Sequence, residues 1–343
     1  MVDENRQWIL RRRPTGPLTQ DVFECVTSPV EEPTEGQVQI KVLSLSLDPA
    51  NRVWIMGPSY RPAVEVDAVM DGFAIGQVLR SEDPSLAVGD FVTGDLGWQE
   101  VSVRPAAAVH RVAHDDQRPL SHYLGVLGVT GLTAYFGLLD VGRVKPKETI
   151  LISGAAGATG SVAGQIAKMW GCRVVGIAGS EAKCRWLVDE LKFDAAINYR
   201  EQDVSKALAE ACPTGVDVYF DNVGGKILDT ALLAMRRGGR VICCGAISGY
   251  DKNEPQPGPA AVPGLLIARR LKMQGFIVMD YAARFGDGVQ ALAGWVESGR
   301  IVVAEDRVEG FENIPAGLIG LLAGENRGKR YVHIADPTVG GVC

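Results

Sequence analysis

A glycine-rich turn between two apolar segments constrains the fold of this chain more than any other feature. Residues 149–153 are apolar and rich in β-branched side chains, which favours a strand. Glycines follow in residues 154–160, and apolar residues then recur with helical spacing over residues 161–170. A second apolar segment at residues 173–177 is typical of another strand. This order of strand, glycine turn, helix and strand predicts a βαβ unit.

The glycine turn has the pattern of a dinucleotide-binding loop. The G-x-G-x-x-G fingerprint falls on Ala155, Gly157 and Gly160, with alanine in the place of the first glycine. Glycine lets a pyrophosphate approach the backbone, and the helix N-terminus offers N–H groups and a positive dipole end to the anion. We therefore interpret the turn as a nucleotide loop, with a plain tight turn as the alternative.

The end of the second predicted strand bears on which dinucleotide is bound. NAD sites usually place Asp or Glu here for the ribose 2′-hydroxyl. This chain has Ala178, Gly179 and Ser180, followed by Lys183, a pattern that accepts a 2′-phosphate and thus favours NADPH. Two alternatives stay open: Lys183 on a helix surface, and Glu181 turned inward onto the ribose of NAD.

Composition narrows the class of protein. The chain has 343 residues, 46% of them hydrophobic and 22% charged, which is typical of a soluble protein of two domains. Its net charge of −6 argues against a nucleic-acid partner, and no apolar run is long enough to predict a membrane span. Seven cysteines without a Cys-x-x-Cys pair indicate reduced thiols, and the N-terminus shows no signal-peptide core. We expect a cytoplasmic protein.

The order of predicted elements indicates the fold class. Short strands with glycine and proline turns, such as residues 37–47, predict a β-rich domain up to about residue 120. Residues 124–139 predict a buried helix, and further strands at 195–198, 216–220, 240–245 and 271–278 alternate with helices. Such alternation predicts a doubly wound parallel sheet, which binds ligands at the carboxyl ends of its strands.

Six segments resemble one known family. In chain order they read LGVTGLTAYFGL, ISGAAGATGSVAGQIAK, FDNVGG, CGAISGY, GFIV and GENRGK. Together they resemble the zinc-independent medium-chain dehydrogenase/reductases, in the leukotriene B4 12-hydroxydehydrogenase, prostaglandin reductase and curcumin reductase branch. The resemblance implies a GroES-like catalytic and substrate domain at residues 1–123, rejoined by 308–343, a Rossmann NADPH-binding domain at 124–307, and a homodimer.

The resemblance also implies the cofactor-binding residues. They are Gly157, Ala158, Thr159 and Gly160 at the pyrophosphate; Gly179, Ser180, Lys183 and Tyr199 near the 2′-phosphate; Asn222, Cys244, Gly245, Ala246, Ile247, Ser248, Phe276, Ile277 and Val278 around the nicotinamide and its ribose; and Asn326 from the returning segment. Asn51 and Tyr60 are weaker candidates for substrate contact. Where zinc-dependent relatives have their metal ligands, this chain reads LDPANRVW and MDGFAIGQ, so we expect no zinc.

A hydride-transfer reaction without a metal suggests reduction of an activated C=C bond. Hydride from NADPH would reach the β-carbon of an α,β-unsaturated ketone or aldehyde, and Tyr250 would stabilise the enolate. Tyr250 packed over the cofactor without a chemical role is one alternative, and donation by the 2′-hydroxyl of the nicotinamide ribose is another. An NADPH:quinone oxidoreductase and a non-catalytic dinucleotide-binding protein are the other functions that the sequence leaves open.

Overall fold

The computed structural model describes residues 4–113, 118–251 and 261–338, and these residues form two compact units. The first unit holds the described residues up to 124, residues 306–326 and those from 330 onward. The second holds residues 125–305 and 327–329.

The secondary structure follows the chain in three parts. The first part contains β1 (Glu4–Leu10), β2 (Phe23–Pro29), β3 (Gln37–Ser46), α1 (Ala50–Trp54), β4 (Phe73–Ser81), β5 (Phe91–Asp95), β6 (Val101–Pro105) and β7 (Val109–Arg111). The middle part contains α2 (Val129–Phe136), β8 (Thr149–Ser153), α3 (Ala158–Met169), β9 (Arg173–Ala178), α4 (Glu181–Asp189), β10 (Ala195–Asn198), α5 (Val204–Ala211), β11 (Val216–Asp221), α6 (Gly225–Ala234), β12 (Met235–Cys243), α7 (Val262–Arg269), β13 (Lys272–Gly275) and α8 (Phe285–Glu297). The last part contains β14 (Glu305–Glu309), α9 (Ile314–Leu322) and β15 (Lys329–His333).

The first unit is built on β-sheet. Strands β1 and β2 pair antiparallel, and a larger sheet has the order β14-β15-β3-β4-β5-β7, with β6 also paired to β3. Strand β3 is central in this sheet, and eight of its ten residues are buried. Its side chains Val38, Ile40, Val42 and Leu45 share one core with the fully buried Trp98, so apolar burial organises this unit around β3.

The second unit is a doubly wound parallel sheet. Its strand order is β10-β9-β8-β11-β12-β13, and the pairs recorded along it are parallel. All five residues of β8 are buried, as expected for a strand covered by helices on both faces. The order reverses between β8 and β11, which makes the carboxyl ends of these strands the expected ligand crevice. The predicted fold class, a β-rich domain with a Rossmann sheet domain, is confirmed.

Two predicted elements are shorter in the structure. The helix predicted at residues 124–139 begins only at Val129, after a turn in which Gly128 and Gly131 both donate N–H bonds to the Gly125 carbonyl. A Cβ on Gly131 would lie 1.8 Å from the Val126 carbonyl oxygen, so this tight turn depends on glycine. From Gly137 the chain continues as a π-helix to Gly142.

The strand predicted at residues 271–278 pairs with β12 only from Lys272 to Gly275. Phe276 then leaves the sheet and packs edge-on against Tyr281, with 6.4 Å between the ring centroids. A 3₁₀ helix follows from Val278 to Arg284. Among the described residues, no helix has both the length and the apolarity that crossing a bilayer requires.

Candidate functional site

The first turn of α3 has the features of an anion site. The residue before the helix is Gly157, which has no side chain to accept a bond from the first-turn N–H groups. Gly157, Ala158 and Thr159 are half-buried, whereas Gly160 is buried beneath them. Among the described residues, and leaving out the two chain neighbours, the Gly154 carbonyl oxygen at 3.3 Å is the one heavy atom within 4 Å of a Cβ built on Gly157. A helix N-terminus with space of this kind is typical of an anion site, and the pyrophosphate remains the predicted occupant.

Close packing explains Gly160, and it also explains why alanine is tolerated at position 155. A Cβ on Gly160 would lie 2.4 Å from the Gly154 carbonyl oxygen and 2.8 Å from the Ala155 Cα, so the helix can approach the strand only without a side chain here. Ala155 replaces the first glycine of the fingerprint because Gly176 of β9 leaves room for its methyl group. A Cβ on Gly176 would lie 2.9 Å from the Ala155 Cβ.

A short segment of the second unit, residues 327–329, runs beside the glycine turn. The Gly328 N–H donates to the Ala156 carbonyl at 2.8 Å, and Gly328 forms an isolated parallel bridge with Gly157. Gly328 has φ +72°, and a Cβ on it would lie 2.1 Å from the Ala304 carbonyl oxygen. Asn326 directly precedes this segment, is 8% exposed, and belongs to the first unit.

The predicted 2′-phosphate residues lie at the ends of β9 and β10. The Ser180 Oγ caps α4 by accepting a bond from the Lys183 N–H at 3.3 Å. The Tyr199 N–H donates to the Ala178 carbonyl at 3.1 Å, so the tyrosine is placed beside Gly179. A Cβ on Gly179 would lie 3.2 Å from the Tyr199 hydroxyl oxygen. These four residues, Gly179, Ser180, Lys183 and Tyr199, are therefore brought together.

Glu181, the residue that would suit an NAD ribose, is engaged elsewhere. It is exposed on the first turn of α4, and its carboxylate lies 3.9 Å from the Arg185 guanidinium one turn later. Because Glu181 lies on the helix surface beside Arg185, it is not turned inward onto a ribose. This favours NADPH over NAD as the cofactor.

The predicted nicotinamide residues lie at the ends of β11 and β12. The Asn222 side-chain amide donates to the Ser153 carbonyl at 2.7 Å, which joins the ends of β11 and β8. The Cys244 and Gly245 N–H groups donate to the Asp221 carbonyl at 2.9 and 3.0 Å. The Cys244 thiol has its pKa raised to about 12 by burial, so at neutral pH it is protonated and is no nucleophile.

The loop after β12 carries Tyr250 and folds back on itself. The Ala246 N–H donates to the Tyr250 hydroxyl at 3.2 Å, and the Tyr250 side chain is half-buried. The Ser248 hydroxyl donates to the Val223 carbonyl at 2.7 Å, and the Ile247 N–H donates to the Asn222 carbonyl at 3.4 Å. The loop is thereby held against the turn that follows β11. Its continuation at residues 252–260, part of the segment 249–263 that we expect to be mobile, lies outside the described residues.

Asp221 is a positioning residue that the sequence patterns did not single out. It is 2% exposed, and its Oδ1 accepts bonds from the Ser153 and Tyr219 hydroxyls at 3.0 and 2.7 Å. The same oxygen accepts the Val223 and Gly224 N–H groups at 3.0 and 2.9 Å. Burial and the neighbouring Asp221 carboxylate raise the pKa of Tyr219 well above its usual value, so its hydroxyl stays a donor. The one sequence feature that could have pointed to Asp221 is its position as an acidic residue at the end of an apolar strand.

Three of the remaining predicted residues follow β13 in the second unit, and two lie in the first unit. Phe276 packs towards α2 and Tyr281, Ile277 is 36% exposed, and Val278 is buried. In the first unit, the Asn51 side-chain oxygen accepts the Asp48 N–H at 2.8 Å and so serves the turn before α1. The Tyr60 hydroxyl accepts the Trp54 indole N–H at 2.9 Å, and its side chain is exposed.

Comparison with known proteins decides the family. A family model described as the N-terminal domain of oxidoreductase matches residues 6–112, and one described as zinc-binding dehydrogenase matches residues 158–294. The NADPH-dependent curcumin reductase of Escherichia coli (strain K12) is 39% identical over 336 residues, which are 96% of this chain and 97% of that protein. Prostaglandin reductase 1 of Bos taurus is 41% identical over 332 residues, covering 95% and 98%. This chain is a zinc-independent medium-chain dehydrogenase/reductase.

The medium-chain reductase is also similar to a solved structure. The crystal structure of CurA in complex with NADPH from Vibrio vulnificus matches it with a TM-score of 0.93 and 38% identity, over 97% of this chain and 100% of that one. The family resemblance drawn from the six sequence segments is thus confirmed. Within the ranges that the structure describes, no three His, Cys, Asp or Glu side chains of the reductase are grouped so as to hold a metal ion.

Proposed function

We propose that this chain reduces the C=C bond of α,β-unsaturated ketones or aldehydes, with Tyr250 stabilising the enolate that forms. The chain is an NADPH-dependent oxidoreductase, because relatives over nearly its whole length are NADPH-dependent reductases. When bound, NADPH supplies the hydride. The residues that would hold it are those at the first turn of α3, at the ends of β9 and β10, and around Asn222 and Ser248.

The contact between Tyr250 and Ala246 supports the proposed role of the tyrosine. Because the phenolic oxygen accepts the Ala246 N–H at 3.2 Å, the hydroxyl is held in place with its own proton available for donation. It can donate to the carbonyl oxygen of a substrate, where negative charge develops as the β-carbon takes up hydride. Tyr250 would donate a hydrogen bond first and a proton afterwards, which gives an enol that tautomerises to the saturated carbonyl compound while the tyrosinate regains a proton from water.

Substitution of Tyr250 tests this role. We expect Tyr250→Phe to lower kcat on an enone roughly 100-fold to 1,000-fold, the usual cost of removing one donor to an oxyanion. The affinity for NADPH, measured by fluorescence titration, should stay unchanged. Tyr135→Phe is the matched control, because Tyr135 packs on Phe136 and Trp295 in α2 and α8. An unaltered kcat in Tyr250→Phe would remove the chemical role of the tyrosine.

A substrate panel separates this function from its alternatives. NADPH oxidation would be followed with small enones, enals and a quinone. Turnover of the quinone without turnover of the enones would favour an NADPH:quinone oxidoreductase. Binding of NADPH without oxidation by any of these acceptors would favour a non-catalytic protein.

We further propose that the reductase is a homodimer in the cytoplasm, joined through β13. This strand ends the sheet order, so its outer edge can pair with a second copy. Ile267 of α7 and Met279 lie in sequence on either side of β13 and are 77% and 55% exposed, so a second copy paired along this edge could cover them. Sedimentation of the wild type and of Met279→Glu tests the dimer, and a wild type that sediments as a monomer would contradict it. Cell fractionation tests the location.

A further inference from the structure

Arg200, next to Tyr199, reaches the same turn as the predicted 2′-phosphate residues. The bond from the Tyr199 N–H to the Ala178 carbonyl continues the parallel pairing of β10 with β9 by one residue. A Cβ built on Gly179 would lie 3.1 Å from the Tyr199 ring and 3.4 Å from the Arg200 Nε. The arginine side chain therefore lies over Gly179, next to the start of α4, although its sequence position gave no sign of this.

The backbone around Arg200 is held in place. The Arg200 N–H donates to the Asn198 side-chain oxygen at 3.2 Å, and the Asn198 N–H donates to the Gln202 side-chain oxygen at 2.7 Å. Asn198 is only 2% exposed, so this turn is anchored from the interior. The Arg200 guanidinium carbon lies 5.8 Å from the centroid of the Tyr199 ring, within the range of a cation–π contact.

We propose that Arg200 binds the 2′-phosphate of NADPH and is a determinant of the preference for NADPH over NADH. This proposal rests on the proposed position of the 2′-phosphate beside Gly179 and Ser180. A phosphate dianion there would meet two different cations, the ammonium of Lys183 and the planar guanidinium of Arg200. The guanidinium can give two parallel N–H bonds to one phosphate group, a geometry that an ammonium cannot match.

Binding of adenosine nucleotides without the nicotinamide tests the proposal directly. 2′,5′-ADP carries the 2′-phosphate and 5′-AMP lacks it, so calorimetric titration with both isolates this contact from turnover. We expect Arg200→Gln to weaken 2′,5′-ADP about 10-fold to 100-fold, the range for a lost hydrogen bond to a charged group, and to leave 5′-AMP unchanged. Arg200→Lys, which keeps the charge but not the fork, should restore part of the loss.

Arg185→Gln provides the matched control. It removes the same charge two residues after Lys183 on α4, where Arg185 is exposed and lies near Glu181 rather than Gly179. We expect it to leave the ratio of the two affinities unchanged. Circular dichroism of each variant checks that its fold is intact.

The outcomes separate this proposal from the one it rests on. If the wild type does not distinguish 2′,5′-ADP from 5′-AMP, the assumed 2′-phosphate site is wrong and both proposals fall. If the wild type does distinguish them, and Lys183→Gln loses the distinction while Arg200→Gln keeps it, only the role of Arg200 is overturned. Equal losses of both nucleotides in Arg200→Gln would also overturn it, since the residue would then support the turn and not the phosphate.

Discussion

The loops that follow β8 and β12 lie at the same edge of the parallel sheet but are held in different ways. The loop after β8 is fixed by backbone packing, with Gly160 against the Gly154 carbonyl and Gly176 against Ala155. The loop after β12 is fixed by hydrogen bonds from outside it, namely to the Asp221 and Asn222 carbonyls and from Ser248 to Val223.

This difference shows two ways of preparing a ligand site. Backbone packing leaves no space for a Cβ, so the first loop depends on the identity of a few glycines. A loop held by hydrogen bonds tolerates other side chains at most of its own positions. It depends instead on the buried group that fixes the residues to which the loop is bonded. Here that group is Asp221, whose carboxylate holds the turn after β11 and whose carbonyl holds the start of the second loop.

Removal of the Asp221 carboxylate should have the largest effect. Asp221→Ala leaves the Ser153 and Tyr219 hydroxyls and two backbone N–H groups without their acceptor. Because each unsatisfied buried donor costs about 1–3 kcal/mol, we expect the free energy of unfolding to fall by at least about 3 kcal/mol. Denaturant titration measures this loss.

Asp229→Asn is the control for Asp221, since Asp229 is exposed on α6. We expect it to change stability by no more than about 0.5 kcal/mol. Similar stabilities for the Asp221 and Asp229 variants would mean that the buried carboxylate is not what holds the turn after β11.

A methyl group at Gly160 should have a smaller effect that is concentrated on the first loop. Its Cβ would lie 2.4 Å from a backbone oxygen, so Gly160→Ala must shift α3 away from the turn at a cost of about 1–3 kcal/mol. If the first turn of α3 binds the pyrophosphate as proposed, NADPH binding should weaken as well, because the N–H groups of that turn move with the helix. Thermal unfolding and fluorescence titration measure the two effects.

Gly294→Ala gives the opposite expectation for the same chemical change. Gly294 lies inside α8, and beyond its chain neighbours and the backbone of its own helix no described atom lies within 4 Å of a Cβ built on it. Alanine there should stabilise the protein by about 0.5–1 kcal/mol, because glycine loses more backbone freedom on folding. If both substitutions had the same sign, close packing would not be what distinguishes the glycine turn.

Secondary structure was predicted correctly where the local sequence pattern of a segment agrees with its place in the folded protein. The strands at residues 149–153 and 195–198 have the predicted bounds, since each is a short apolar run closed by turn residues. It failed at residues 125–128, where continuous apolarity suggested a helix and the chain instead makes a glycine turn. Apolar composition reports burial, but a contact such as that between Gly131 and the Val126 carbonyl decides the backbone conformation.

The residues of the candidate site also fall into two groups, those that the sequence could indicate and those that only the structure reveals. Gly157, Gly160 and Lys183 could be proposed from the sequence as phosphate-binding residues, because phosphate binding restricts the residue types at fixed spacings after a strand. Asp221 and Arg200 could not, because an acidic or basic residue after a strand is common, and only its neighbours in space give it a role. The contact between Ala155 and Gly176 joins the turn after β8 to β9, and it likewise has no local sequence pattern.

The sequence by itself determined the βαβ unit and the class of fold, because periodicity and glycine spacing act over a few neighbouring residues. The anion site at the glycine turn stays a prediction. Only the tertiary structure decided which residues meet at the carboxyl ends of the strands. There the register between parallel strands sets Tyr199 and Arg200 beside Gly179, and the burial of Asp221 makes one carboxylate the acceptor for four separate donors.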